Sequence, residues 1–384
     1  MTPAARTQAA IELLDSIVAA AEQGGAAADT LIARYFATRR YAGSKDRRAV
    51  RELVYAAIRA LGERPASGRA ALLALARHDA ALAATFDGSP HGPAPIGDET
   101  AATPGVLPHW LAERFAASGL GDDEQAALVE RAPLDVRVNR LRGEAPAIDG
   151  AAAIPGLPDA LRLPAGIDLA PHAGLIEAQD AGSQAVTLAA GAAPGMTVLD
   201  LCAGAGGKSL ALAAAMANRG RIIASDVDRA RLARLAPRAN RAGATIIETR
   251  LLDGGREAEA LADIVADIVF VDAPCSGSGT WRRNPEARWR LTPERLERYA
   301  AMQRHVLALG APAVRPGGAL VFVTCSLLDA EGADQIERFL ADHPGWQAEP
   351  LALPFGRARE QGVRLTPAHD GTDGFFVARL RAPC

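Results

Sequence analysis

The sequence is poor in cysteine and almost empty of lysine. Four cysteines (Cys202, Cys275, Cys325 and Cys384) are spread over 384 residues. They are too few and too scattered for a disulfide framework, and no Cys-x-x-Cys pair suggests zinc. Reduced thiols in a cytoplasmic protein are the expectation, with no metal. Of the 42 basic residues only Lys45 and Lys208 are lysines. Where a generic cation would serve, this chain has arginine, so a lysine at a particular place hints that a compact ammonium is wanted there. No run of about 18 apolar residues marks a membrane span. The stretch MTPAARTQAAIELL has no basic segment followed by an apolar one, so no secretory leader is expected. An excess of one charge is missing too: 42 basic residues face 45 acidic ones. Net charge therefore neither favours nor excludes a nucleic-acid partner, and any basic patch must be local.

What is present is a chain that is 49% hydrophobic, long enough for two or three domains. Apolar residues recur at helical spacing over 8–62, and RAALLALARHDAALAATF adds a further helical stretch. These predict a helical domain over 1–85. Within it, RRYAGSKDRR carries Arg39, Arg40, Lys45, Arg47 and Arg48. Such a run is ordinarily a solvated loop; the alternative is a seat for nucleic-acid phosphates. Residues 86–108 are rich in Gly and Pro without periodicity and read as a linker. Residues 109–174 read as a small α+β piece. It has two short helices and then LDVRVNRL, where Leu134, Val136 and Val138 share one face and Arg137 and Asn139 the other. From 175 onward, strand-like runs at 197–201, 221–225, 245–249, 268–271 and 319–324 alternate with helical stretches. The alternation predicts an α/β fold with a mostly parallel sheet. The run GFFVARL at 374–380 suggests an added edge strand.

The stretch LDLCAGAGGKS (199–209) is a glycine turn between a strand and a helix. A Walker phosphate loop needs glycine where Cys202 stands. A dinucleotide turn fits Gly204 and Gly206 but has Ser209 at the third position. Glycines that let backbone approach a ligand, followed by a helix N-terminus, suit a nicotinamide dinucleotide or S-adenosylmethionine alike. Asp200, Asp226, Asp253 and Asp272 fall near the C-terminal ends of predicted strands. That many carboxylates favours a cationic ligand with hydroxyls and an amine over a pyrophosphate.

VFVDAPCSGSGTWRRNPEARW (269–289) ends a buried strand at Asp272 and opens a Ser/Gly loop at Cys275; GGALVFVTCSLL ends another at Thr324-Cys325. A cysteine beside an apolar strand is ordinarily a small packing residue. That reading suits Cys202, while Cys384 is simply terminal. Cys275 and Cys325 each lie at a strand-to-loop exit, on the edge that carries the glycine turn.

Taken together, LIEAQDAGSQ, LDLCAGAGGKS, DAPCSGSGTWRRNP and FVTCSLL resemble, in order, the motifs of the RsmB/NOP/Sun family of RNA (cytosine-C5) methyltransferases. The resemblance covers roughly 135–384. The helices around SKDRRAVRELVYAAIR resemble the NusB-like RNA-binding domain that precedes the catalytic core in some members, here abbreviated. It implies a Rossmann-like class I methyltransferase domain over 175–384. Its expected cofactor is S-adenosylmethionine and its partner RNA, with small-subunit ribosomal RNA favoured over transfer RNA or another RNA. By the same resemblance Cys325 is the nucleophile, Cys275 assists release, and Asp272 hydrogen-bonds the base and touches the cofactor. Cys202, Ala203, Gly204, Ala205, Gly206, Gly207 and Lys208 wrap the methionine end, Asp226 the ribose and Asp253 the adenine side. Arg282, Arg283 and Asn284 meet RNA, with Arg137, Asn139, Arg47 and Arg48 as further contacts. The family loop usually reads Cys-Ala-Ala-Pro-Gly-Gly-Lys; here Gly204-Ala205 replace Ala-Pro. A monomer is expected. The rivals are a nicotinamide dehydrogenase and a non-catalytic RNA-binding relative.

Overall fold

The computed structural model describes residues 1–384. The chain forms two compact units, one of Met1–Arg131 with Thr280–Thr292, the other of Ala132–Gly279 with Pro293–Cys384.

The first unit is helical: α1 (Pro3–Gln23), α2 (Ala28–Ala37), α3 (Ser44–Ala60), α4 (Gly68–Ala76), α5 (Ala80–Ala83), α6 (His109–Ala117) and α7 (Asp122–Ala127). Thr2 caps α1 by accepting from Ala5 N, with Pro3 at the first helical position. The helical stretch over 69–86 is broken in two because the Asp79 carboxylate accepts from Ala81 N and Leu82 N, which starts a new turn. Residues 86–108 contain no regular element, yet they are not a free tether. Ala102 N donates to Ala70 O and Gly105 N to Ala60 O, and Phe86 and Ala101 join the core of α1, α3 and α4. The boundary falls at Arg131 rather than in this segment. Helices α6 and α7 therefore belong with the helical unit and not with the small α+β piece. Phe115 on α6 supplies the reason, buried against Trp281 of the same unit.

Residues Thr280–Thr292 return to this unit from far along the chain. Trp281 meets the Phe115 ring edge-on at 5.8 Å. Trp289 enters the helical core, and its Nε1 donates to Gly62 O at 3.1 Å. Fully buried Arg288 donates to Ile58 O and Leu61 O, each at 2.6 Å. Glu286 accepts from Ala28 N at 2.9 Å, at the start of α2. A guanidinium suits this place because α3 ends here, where the last carbonyls run out of helical N–H donors; Ile58 O has only a long bond from Leu61 N, 3.4 Å.

The second unit holds two sheets. Strands β1 (Leu134–Val138), β2 (Ala152–Ala153), β3 (Ala160–Leu163) and β4 (Ile176–Ala178) form an antiparallel sheet in the order β2-β3-β1-β4. The alternation in LDVRV sends Val136 and Val138 into its core. The larger sheet contains β5 (Thr197–Asp200), β6 (Arg221–Asp226), β7 (Ile247–Leu251), β8 (Ala266–Asp272), β9 (Val314–Thr324), β10 (Gln347–Glu349), β11 (Arg357–Arg359), β12 (Gly362–Leu365) and β13 (Phe375–Arg381). Its order is β11-β12-β13-β9-β8-β5-β6-β7, with β10 on β13. Strands β5 to β9 are parallel neighbours, as the alternation with helices predicts. The C-terminal run is antiparallel but not at the edge: β13 pairs with β9 on one side and β12 on the other. The strands beyond it, RAR and GVRL, are too short and polar to register as apolar runs.

Both faces of the parallel strands are buried, and the alternation is visible in the cores. Val198, Ile222, Ile268, Phe270 and Val321 serve one face. Leu199, Ile223, Val269, Leu320 and Phe322 serve the other. Strand order reverses at β5, whose neighbours are β6 and β8. This is where open α/β sheets form a ligand crevice beyond the strand ends. No helix is long and apolar enough to cross a membrane.

Replacing Arg288 with Ala strips the carbonyls of Ile58 and Leu61 of a buried partner. The unfolding free energy is expected to fall by about 3 kcal/mol, read from the urea midpoint of the transition followed by tryptophan fluorescence.

Candidate active site

The segment after β5 turns sharply over the end of the sheet. Ala203 N donates to Ser225 O, and Gly204 N donates to the Asp226 carboxylate at 2.7 Å. Gly206 then sits at φ 81°, where a Cβ would lie 2.5 Å from the Leu235 side chain, so only glycine serves. The helix α9 (Gly207–Ala215), which follows α8 (Ala181–Leu188) in the chain, begins at the next residue. Lys208, on its first turn, reaches Asp272 at the end of β8, Nζ to Oδ2 2.6 Å. Its ammonium also lies 5.6 Å from the Phe375 ring centroid. Burial opposes the charge of Lys208, but Asp272 outweighs it and raises its pKa. Beneath the turn, fully buried Asp200 accepts from Ser209 Oγ at 2.6 Å, and its Oδ1 has no partner.

A cleft of about 660 Å³ opens above the switch point. Its floor is Leu201–Ala203 from the β5 turn. Asp226 and Arg231 follow β6, Leu252 and Glu257 follow β7, and Asp272 to Cys275 follow β8. Tyr299, Met302 and His305 of the helix Pro293–Gly310 form a further wall. The size fits a small organic ligand.

At one end of this cleft the two loop cysteines meet. In the parallel pairing of β8 and β9, Asp272 stands opposite Val323, and Ala273 N donates to Val323 O. Cys275 and Cys325 therefore leave adjacent strand ends together, with Sγ 3.4 Å from Sγ. The Cys275 thiol is raised well above its ordinary range by its contact with Cys325, then by burial and the charges nearby. Both loops converge on Glu331, a fully buried carboxylate. It accepts from Ser276 N at 2.8 Å, Ser276 Oγ at 2.5 Å, Ser326 Oγ at 2.6 Å and Gln303 Nε2 at 3.2 Å. Nothing in the sequence marks Glu331: in the turn-like stretch Asp329-Ala330-Glu331-Gly332 an acidic residue reads as solvated. No group of three or more His, Cys, Asp or Glu side chains is gathered as a metal set.

Residues 187–381 match the family described as 16S rRNA methyltransferase RsmB/F. The chain belongs to the RsmB/F family. Among its relatives, the ribosomal RNA small subunit methyltransferase B of Xanthomonas campestris is 34% identical over 289 residues, covering 71% of this chain and 66% of that protein. That of Thermus thermophilus is 41% identical over 191 residues, covering 50% of this chain and 46% of that protein. The aligned part thus spans at most about two thirds of the relatives' length. Among solved structures, PH0851 superposes with a TM-score of 0.75 at 24% identity over 99% of both chains. NSun6 from Pyrococcus horikoshii gives 0.64 at 20% identity, over 72% of this chain and 98% of that one. These two likenesses establish the fold.

The RsmB/F segment contains the glycine turn, Asp226, Asp272 and both loop cysteines. Of the residues expected at the cofactor, Cys202, Ala203, Asp226 and Asp272 line the cleft, and Gly204 to Lys208 form the turn beside it. Asp253 does not line it. The chain leaves the sheet after Leu252, and Asp253 is exposed, its carbonyl closing a turn with Arg256 N. Several expected RNA contacts are structural instead. Asn139 is buried and donates to Gly174 O and Ala242 O, tying the small sheet to a helix of the methyltransferase fold. Arg137 is buried with Nε on Gln179 Oε1. Arg282 is 7% exposed, and its carbonyl accepts from Arg59; a guanidinium so enclosed is not available to a phosphate. Arg283 is half-buried, while Asn284, Arg47 and Arg48 are exposed.

Asp200 sets a pH dependence. Burial lifts its carboxyl from 3.8 to about 7, against the Ser209 hydrogen bond. The folded protein therefore keeps a proton that the unfolded chain loses. The stabilising contribution is full below the unfolded value and is lost as pH rises toward about 7. Melting of the wild type is expected to weaken relative to Asp200→Asn as pH rises from 5 to about 7.5, by a few kcal/mol in all, and the gap to stay constant at higher pH.

Proposed function

We propose that this chain transfers a methyl group from S-adenosylmethionine to C5 of a cytidine in RNA, with small-subunit ribosomal RNA as the substrate. The observation that carries this reading is the pair of thiols 3.4 Å apart at the end of the switch-point cleft. A nicotinamide enzyme has no use for them.

The cleft suits the cofactor by its donors. Asp226, Asp272 and Glu257 give it an acidic lining, fit for a sulfonium, an ammonium and ribose hydroxyls. The Asp226 oxygens each take one backbone N–H, from Gly204 and Asp228, and keep lone pairs for hydroxyls. Lys208 and the turn Cys202 to Gly207 hold the methionine end. When bound, S-adenosylmethionine supplies a methyl group on a positively charged sulfur.

Cytosine C5 is a weak nucleophile until C6 is attacked. Cys325 performs that attack as a thiolate, forming the S–C6 bond and making C5 enamine-like. Asp272 hydrogen-bonds the base and steadies the charge that develops as C6 is attacked. After methylation a water molecule takes the C5 proton, that C–H electron pair re-forms C5=C6, and the S–C6 bond breaks with its pair leaving on Cys325 as the thiolate. Cys275, which holds its proton, assists this elimination by giving the departing Cys325 sulfur a hydrogen-bond donor. A base reaches the thiols only when unstacked, which favours a loop or bulge in the RNA. Exposed Arg47 and Arg48 on the helical unit offer phosphate contacts.

Cys325→Ala is expected to reduce methylation to background. Cys275→Ala is expected to accumulate a covalent RNA–protein adduct that survives a denaturing gel. An adduct in the Cys325→Ala protein instead reverses the two roles. Bisulfite sequencing of RNA from cells lacking the gene identifies the cytidine, and full conversion differences confined to non-ribosomal RNA exclude the ribosomal substrate.

A further inference from the structure

The Glu331 carboxylate is the charged group that touches both cysteine loops, which also meet through the hydroxyls of Ser276, Ser278 and Ser326. Ser276 directly follows Cys275, and Ser326 directly follows Cys325. Glu331 takes the N–H and hydroxyl of the first and the hydroxyl of the second. Gln303 completes the set: its Nε2 donates to Glu331 and also to Pro274 O at 2.9 Å, just before Cys275. Three separate segments thus end on one buried side chain. Burying a carboxylate is costly even when it is hydrogen-bonded. A carboxylate does what an apolar group cannot: it fixes the direction of several donors at once.

We infer that Glu331 is a positioning residue that holds the Cys275 and Cys325 thiols side by side. Its kinetic consequence rests on the methyl-transfer reading above; the thiol spacing does not. Without Glu331 the two serine-bearing loops keep only the weaker contacts among Ser276, Ser278 and Ser326, and the thiols separate on average.

The test uses the full chain with Cys384→Ser, comparing Glu331, Glu331→Gln and Glu331→Ala. The first readout needs neither RNA nor cofactor. Diamide oxidises two adjacent thiols to a disulfide, its N=N bond taking up the two electrons and two protons to become a hydrazine. Peptide mapping follows the Cys275–Cys325 disulfide. It is expected to form at least tenfold more slowly in Glu331→Ala and within threefold of the parent in Glu331→Gln, whose amide still bridges both loops. The second readout is methylation of RNA. The rate constant kcat is expected to fall at least tenfold in Glu331→Ala and to recover in Glu331→Gln, while the Kd for S-adenosylmethionine stays within twofold. Ser326→Ala, which removes the contact to Glu331 together with that to Ser278, is expected to slow disulfide formation about threefold, against less than twofold in Ser278→Ala, and the pair covers the case of a Glu331→Ala chain that does not fold. Parental rates in Glu331→Ala, or in Ser326→Ala where Glu331→Ala does not fold, overturn the inference, as does a Glu331→Gln protein as impaired as Glu331→Ala. Slowed disulfide formation in Glu331→Ala, together with a parent chain that methylates no RNA, supports the positioning role and overturns the methyl-transfer reading.

Discussion

The site depends on the register between two parallel strands. With β8 and β9 paired so that Asp272 faces Val323, the residues just past each strand end are brought to one height. Cys275 lies three residues beyond Asp272 and Cys325 two beyond Val323. Parallel pairing repeats every two residues, so a slip of one residue would send Cys325 to the opposite face of the sheet. Both faces of these strands are buried and packed by different apolar sets. The core therefore enforces the register, and hydrophobic packing far from the cleft decides where the sulfur atoms stand.

Around this frame the unit accepts charges that a purely structural core would avoid. Asp200 and Glu331 are both fully enclosed, and burial raises the pKa of each. Each lies directly under a loop that lines or borders the cleft, and each meets a serine hydroxyl, Asp200 from the helix that the turn opens and Glu331 from the Cys275 loop. The Lys208–Asp272 pair repeats the pattern nearer the surface, joining the first turn of α9 to the end of β8. Loops that already contact one another are fastened from below as well, by short, directional bonds.

Much of this frame is legible in the sequence, because its signals are local. A glycine that must adopt positive φ, an alternation of apolar residues, and cysteines placed two or three residues past strand ends are all matters of short-range spacing. The parallel strands, the glycine turn and the shared edge of the two cysteines follow from them. The destination of a polar side chain does not. Arg137, Asn139 and Arg282 look like surface contacts for a polyanion, yet each is folded under by tertiary neighbours. Asp253 shares its strand-end position with Asp226 and still points elsewhere, because the chain turns away after Leu252. Glu331 carries the reverse lesson: in a turn sequence it looks solvated and is the most connected carboxylate of the site.

The excursion of Thr280–Thr292 has an architectural meaning. A chain that leaves one unit five residues after Cys275, gives Trp289 and Arg288 to another, and returns at Pro293 makes the helical unit more than an N-terminal attachment. Cutting after Arg131 would leave an orphaned segment with two tryptophans and a buried arginine stripped of their surroundings. The polypeptide is stitched rather than strung, and neither unit is complete without residues that the gene encodes on the far side of the other.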